Sequence, residues 1–134
     1  MKTTAQRRVL IIDDNQDDVL ITKRVLSKLG PEIRTEVAPN GMAGISSLRS
    51  GKDLPAMILL DLKMPGMSGF DTLRQIRAEE RLKNIPVVVV TSSSLETDVK
   101  EAYAAGADSF LHKAFDLDQF SRDLKHLLER WLTH

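Results

Sequence analysis

The chain has 134 residues, the size of one ordinary domain, and its 19 basic residues balance its 19 acidic ones. This balance favours neither nucleic acid nor an anionic membrane as a direct partner, and the absence of cysteine excludes disulfide bonds and thiolate zinc sites. The first apolar run is too short for a signal peptide, and no run approaches the roughly 18 residues of a membrane span. We therefore expect a cytoplasmic protein with a single core.

The first half of the chain predicts two strands and two helices in alternation. VLII at residues 9–12 is short, branched and bounded by polar residues, which is typical of a strand buried on both faces. Residues 16–29 repeat apolar side chains at helical spacing and stop at a Gly-Pro pair. The alternating pattern IRTEVA at 33–38 predicts an edge strand, and Asn40 can cap a short helix that closes at Gly51.

The second half of the chain continues the alternation. AMILL at residues 56–60 and VVVV at 87–90 again have the composition of doubly buried strands. Ser68 can cap the helix between them, and Ser94 can cap the helix that follows the second of them. SFLH at 109–112 is short enough to be the other edge strand.

The last helix is predicted over residues 116–132, where apolar residues recur every three or four positions after a capping box of Asp116 and Gln119. Strand and helix therefore alternate five times, which predicts an α/β fold with right-handed crossovers. With the weak strands at the edges, we expect a flavodoxin-like doubly wound (βα)5 fold, its five-stranded parallel sheet ordered 2-1-3-4-5 with helices on both faces. We expect one domain over residues 1–134, with a core at about 7–131 and no output domain.

Charged and hydroxyl groups follow the strands at the edge where ligands bind in such sheets. Asp13 and Asp14 follow the first strand, Asp61 the third, Thr91 ends the fourth, and Lys113 follows the fifth. Carboxylates that converge there repel one another and call for a cation. Hard oxygen ligands without histidine or cysteine suit Mg²⁺ or Mn²⁺, and a carboxylate beside such an ion can form an aspartyl phosphate.

Four motifs at these strand ends match a known family. They are LIIDDN, LLDLKMPGMSG, VVVVTSSS and AYAAGADSFLHK. On them the chain resembles the receiver domain of two-component response regulators, the CheY-like fold. The resemblance implies that Asp61 is the phosphoacceptor, that Asp14 and Asp61 bind Mg²⁺ directly and that Asp13 helps to hold the ion. It also implies that the main-chain carbonyl of Lys63 is a further ligand.

The same resemblance implies a switch. Thr91 is the switch hydroxyl, Phe110 occupies the position of the switch aromatic residue, and Lys113 pairs with Asp61 at rest and with the phosphoryl group afterwards. The side chains of Lys63 and Ser93 stand where the family tunes loss of the phosphoryl group. Alanine follows Lys113 where the family usually has proline. The family's cis peptide bond would cost about 2.5–4 kcal/mol there, and a trans bond would place the lysine differently.

The resemblance also implies partners. These are a sensor histidine kinase or phosphotransfer protein, a downstream protein target, and a homodimer through the fourth helix, fifth strand and fifth helix. The segment SSSLETDVKEAYAAGAD is similar to single-domain regulators served by phytochrome-type kinases. We expect no enzyme beyond catalysis of the protein's own phosphorylation and dephosphorylation, and no direct contact with nucleic acid or membrane.

Three other functions compete with this interpretation. A haloacid-dehalogenase-type hydrolase needs a second aspartate where the chain has Lys63, and a nucleotide-binding module needs glycines where the chain has DDNQDD. A pseudo-receiver, which binds proteins without phosphorylation, remains the alternative. His112 and His126 are isolated in the sequence, and we expect them at the surface or in packing rather than at a metal.

Overall fold

The computed structural model describes residues 7–30, 32–92, 95–113 and 116–132. Strands and helices alternate along them, and all strand pairings are parallel in the order β2-β1-β3-β4-β5. The elements are β1 Arg8–Ile12, α1 Gln16–Leu29, β2 Arg34–Ala38, α2 Gly41–Ser50, β3 Met57–Leu60, α3 Gly69–Ala78, β4 Val87–Thr91, α4 Glu96–Ala104, β5 Ser109–His112 and α5 Leu117–Leu132. The predicted flavodoxin-like architecture is confirmed.

The core consists of two apolar layers, one on each face of the sheet. One layer packs the strands against α2, α3 and α4, and the other packs them against α1 and α5. Successive residues of β1, β3 and β4 point into opposite layers, so nearly every residue of these three strands is buried. This explains why their sequences are continuously apolar rather than alternating.

The edge strand β2 is mostly exposed. Only Ala38 is buried in it, and Val37 is 42% exposed although it falls on the apolar side of the alternation. The strand pairs with β1 on one side and lies at the end of the sheet, where little covers its side chains. The predicted position of β2 at the edge is confirmed, and its alternating sequence does not mark a buried face.

Side-chain caps fix the starts of four helices. Asn40 Oδ1 accepts from the Ala43 N–H and Ser68 Oγ from the Asp71 N–H, as predicted, and Asp116 Oδ1 accepts from the Gln119 N–H. Asn15 caps α1 in the same way, which the sequence patterns left out. Helix α4 begins at Glu96 after Leu95, which provides no side-chain cap, and the predicted cap Ser94 lies outside the described residues.

Arg77 ties together the loops at the amino ends of β4 and β5. Its guanidinium donates to the carbonyls of Lys83, Ile85 and Gly106 over 2.7–2.9 Å and pairs with Asp108 Oδ2 at 2.8 Å. The same carboxylate oxygen accepts from the backbone N–H at the start of β4. One side chain therefore satisfies backbone carbonyls in two loops that would otherwise need water.

None of the helices in the described part of the chain is both long enough and apolar enough to cross a bilayer.

Candidate functional site

The carboxyl end of β1 delivers Asp13 and Asp14 to the rim of the sheet. The backbone N–H of Asp13 donates to the Ala38 carbonyl at 3.1 Å, and Asp13 Oδ1 accepts from the Asn15 N–H at 3.0 Å. These bonds hold the Asp13 side chain in a buried position. Asp14, the next residue, is exposed. The pair therefore offers one anchored carboxylate and one that faces solvent.

Asp61 lies directly beside this pair because its strand, β3, is the neighbour of β1. Its backbone N–H donates to the Ile12 carbonyl at 2.9 Å, and its side chain is buried. The loop behind it depends on glycine: Gly66 has φ +79°, and a Cβ on Gly69 would lie 2.3 Å from the Asp61 carbonyl oxygen. The motif PGMSG thus lets α3 start close against the acceptor without covering its carboxylate.

Carboxylate oxygens of Asp13, Asp14 and Asp61 lie within 4.8 Å of one another. Burial raises the pKa of Asp61 to about 6; the charge of Lys113 opposes this rise, and the charge of Asp13 adds to it. The two buried carboxylates, Asp13 and Asp61, and the exposed carboxylate of Asp14 fit a hard divalent cation that keeps several waters. The residues present therefore support binding of a divalent metal ion at this edge.

Lys113 brings positive charge to the site, and its shortest contacts are not with the predicted partner Asp61. Its Nζ donates to Asp13 Oδ2 at 2.8 Å and to Asp18 Oδ2 at 2.9 Å, whereas Asp61 Oδ2 is 3.8 Å away. Burial lowers the pKa of Lys113, but the hydrogen bonds to Asp13 and Asp18 and the charge of Asp61 raise it above the ordinary value overall. The predicted resting partner, Asp61, is thus a weaker contact than two other carboxylates.

Asp18 is a site residue that the sequence patterns did not single out. It stands in the first turn of α1 and belongs to the second acidic pair of DDNQDD. That second pair was the available signal, because the first turn of a helix that follows β1 faces the same rim. Which of its two aspartates turns inward depends on the helix rotation set by the Asn15 cap.

The remaining predicted residues are Thr91, Phe110 and Lys63. Thr91 is fully buried at the end of β4, and its carbonyl accepts from the Lys113 N–H at 2.8 Å. Phe110 is partly buried and packs on the layer of α2, α3 and α4. The Lys63 backbone N–H lies 3.4 Å from Asp61 Oδ1, and its ammonium lies 3.6 Å from Asp98 Oδ2 of α4.

Four further predictions concern Ser93, Ala114, His112 and His126. Ser93 and Ala114 lie outside the described residues, so the predictions for them stay predictions. His112 is exposed at the end of β5, with Nε2 3.1 Å from the Ser92 carbonyl, and His126 is exposed on α5. Both histidines therefore lie at the surface, as predicted.

Comparison with known proteins agrees with the geometry. The family profile "Response regulator receiver domain" matches residues 9–125. Chemotaxis protein CheY of Pseudomonas aeruginosa is 34% identical over 92% of this chain and 97% of that protein. The phosphorylated cyanobacterial phytochrome response regulator RcpA is 27% identical, with a TM-score of 0.87 over 95% of this chain and 94% of that chain.

A second solved structure that resembles the chain contains a bound metal ion. The Mn²⁺-bound form of response regulator Rcp1 is 29% identical and has a TM-score of 0.82 over 94% of each chain. The profile match covers most of the chain, and the fold, the acidic cluster and the lysine stand where the motifs predicted them. The chain therefore belongs to the response regulator receiver domain family of two-component signal transduction.

Proposed function

We propose that Asp61 accepts a phosphoryl group from a histidine kinase or a phosphotransfer protein, and that the protein thereby switches a protein-binding surface. One observation carries this proposal: three carboxylates meet within 4.8 Å at the carboxyl edge of the sheet, beside the ammonium of Lys113. Such an arrangement brings an anionic nucleophile and compensating cations to one place.

A divalent ion, Mg²⁺ or Mn²⁺, would be held by Asp13, Asp14, Asp61 and the main-chain carbonyl of Lys63. When bound, the ion supplies positive charge that neutralises the carboxylates and the phosphoryl oxygens. The manganese in the Rcp1 structure supports this proposal. The oxygen donors and the exposed side of Asp14 suit an ion that retains water.

Thr91, Lys113 and Phe110 would convert phosphorylation into a change of surface. The phosphoryl group adds about −1.5 to −2 charge and three acceptor oxygens, which attract the Thr91 hydroxyl and the Lys113 ammonium. Movement of Thr91 opens space into which Phe110 turns, and the surface of α4, β5 and α5 changes. That surface would bind a downstream protein target or a second copy of the chain.

Receiver domains are phosphorylated by histidine kinases and are themselves signalling modules rather than enzymes with an external substrate. We propose that this one catalyses only its own phosphorylation and dephosphorylation, in the cytoplasm. The likeness to the phytochrome response regulator RcpA supports a phytochrome-type sensor kinase as the donor. Phosphotransfer from a panel of kinases, with and without phytochrome sensors, tests this specificity.

Phosphorylation with acetyl phosphate and Mg²⁺, followed by intact-mass measurement, tests the central step. We expect the wild type to gain one phosphoryl group and Asp61→Asn to gain none, because the amide is no nucleophile. Asp17→Asn is the matched control, since Asp17 is an exposed aspartate on the nearby turn of α1. It should be labelled like the wild type.

An unlabelled wild type would contradict the proposal. If the wild type and Asp61→Asn both stay unmodified with acetyl phosphate and with every kinase, the chain acts as a pseudo-receiver that binds partners without phosphorylation. Labelling that is equal in the two proteins would place the phosphoryl group on another residue.

A further inference from the structure

The lysine of the site is shared unequally among three carboxylates. Lys113 Nζ has hydrogen bonds of 2.8 Å to Asp13 and 2.9 Å to Asp18, but it is 3.8 Å from Asp61, beyond hydrogen-bond length. The lysine side chain is only 15% exposed. In such surroundings a charged hydrogen bond is stronger than one at the open surface. The two short bonds therefore determine where the ammonium rests.

The position of Asp18 is fixed by the start of α1. Asp13 Oδ1 accepts from the Asn15 N–H, and Asn15 Oδ1 in turn accepts from the Asp18 N–H at 3.0 Å. These two bonds set the rotation of the first helical turn and direct the Asp18 carboxylate to Lys113. Asp17, one residue earlier, is exposed and forms no side-chain hydrogen bond or ion pair with the described residues. Position 18, and not position 17, is thus connected to the site.

Asp18 lies in the first turn of α1, whereas Asp61 directly follows β3 in the sheet. A hydrogen bond from the ammonium to a phosphoryl oxygen on Asp61 needs a donor–acceptor distance of about 2.7–3.2 Å, and two of the three ammonium N–H groups are already directed to Asp13 and Asp18. Any approach of the ammonium that lengthens its bond to Asp18 weakens a charge-assisted hydrogen bond. Asp18 therefore competes with the phosphoryl oxygens for the same cation.

We propose that Asp18 is a positioning residue that holds the Lys113 ammonium away from Asp61 at rest and thereby slows phosphoryl transfer. This inference rests on the proposed function of Asp61. In the transfer, a carboxylate oxygen of Asp61 forms a bond to phosphorus, the bond from phosphorus to the donor breaks, and the leaving group keeps the electron pair. Lys113 moves from Asp18 to a phosphoryl oxygen without transferring a proton.

The test compares three variants by their maximal rate of phosphorylation at saturating Mg²⁺ and acetyl phosphate. At saturation, a change that affects only the binding of either reagent leaves the rate unchanged. We expect Asp18→Asn to react about fivefold faster than the wild type, because the neutral amide holds the ammonium less strongly than a carboxylate does. Asp18→Glu keeps the negative charge, so its maximal rate should stay within about twofold of the wild-type rate.

Asp17→Asn is the control for charge alone. It removes one negative charge from the same helical turn without touching Lys113, so its rate should also stay within about twofold of the wild type. The inference is overturned if Asp18→Asn and Asp17→Asn have equal rates, or if Asp18→Asn is slower than the wild type. An unlabelled wild type would instead refute the proposed function itself, so the two failures are distinguishable.

Discussion

At the carboxyl end of the sheet, the ammonium of Lys113 lies beside the carboxylates of Asp13, Asp18 and Asp61, and a carboxylate oxygen of Asp14 lies within 4.8 Å of oxygens of Asp13 and Asp61. At the amino end, the guanidinium of Arg77 donates to three backbone carbonyls and one carboxylate. The first end therefore has an excess of negative charge, whereas polar groups at the second are paired. Both ends belong to the same parallel sheet.

The charge balance differs between the two ends of the sheet, and this assigns function to the carboxyl end and stability to the amino end. A partly buried cluster with too little positive charge is destabilising by itself, and a divalent cation or a rearranged lysine relieves it. The guanidinium of Arg77 is already paired, so we expect it to contribute to folding and not to respond to a metal ion. We therefore expect changes at the carboxyl end to respond to pH and metal, and changes at the amino end to lower stability under all conditions.

Replacement of Arg77 should have the largest effect on stability. We expect Arg77→Ala to lower the free energy of unfolding by about 3 kcal/mol, because several hydrogen bonds to a charged donor are lost and loop carbonyls lose their partner. Urea unfolding measures this loss. Once folded at low temperature, the variant should still be phosphorylated, since Arg77 is at the other end of the sheet.

Arg74→Ala is the matched control on the same helix. Arg74 also forms two ion pairs, with Asp71 and Glu101, but its side chain is 51% exposed compared with 19% for Arg77. We expect a loss of about 0–1 kcal/mol. If the two arginine variants were equally stable, the contrast between the two ends of the sheet would lose its structural basis.

Neutralisation of Asp61 should raise the free energy of unfolding, whereas replacement of Arg77 lowers it. Its pKa is raised from 3.8 to about 6, so between these values the folded protein retains a proton that the unfolded chain has lost. The contribution of this group to stability is therefore complete below about pH 4 and is lost as the pH rises through 6. In metal-free protein at pH 8, we expect Asp61→Asn to be more stable than the wild type by about 2–3 kcal/mol.

Chemical unfolding in the presence of a chelator, from pH 4.5 to 8, measures this difference. The advantage of Asp61→Asn should be small at the acidic limit and should grow through pH 6. Asp17→Asn, which changes an exposed carboxylate, should follow the wild type across the range. A difference that is independent of pH would show that the charge of Asp61 is not what destabilises this end of the sheet.

The sequence is sufficient to predict the rim residues that end a strand or directly follow one. Asp13, Asp14, Asp61, Thr91 and Lys113 were placed together because the carboxyl ends of parallel strands meet at one edge. That inference needs only the strand positions and their order. The apolar runs of β1, β3 and β4 supplied both, since strands buried on both faces have continuous apolar sequences.

The residues that were missed act through long side chains or helix rotation. Asp18 reaches Lys113 only because the Asn15 cap sets the first turn of α1. Arg77 contacts residues up to 31 positions away, across two loops whose paths no local pattern gives. The exposure of Val37 likewise depends on what lies beyond the edge of the sheet, and the alternation within β2 contains no information about that.

Metal binding should have the smallest of the three effects on stability and should be confined to the acidic end. A ligand at ten times its dissociation constant stabilises the native state by about 1.4 kcal/mol. We therefore expect millimolar Mg²⁺ to raise the melting temperature of the wild type by a few degrees. Asp14→Ala should abolish most of this rise without disturbing the core, because Asp14 is exposed, and Asp17→Ala should retain it. Arg77→Ala should also retain the rise at its lower melting temperature, since its lost hydrogen bonds lie at the other end of the sheet. If Mg²⁺ stabilised Asp14→Ala as much as the wild type, the ion would bind elsewhere, and the excess charge at the carboxyl end would need another explanation.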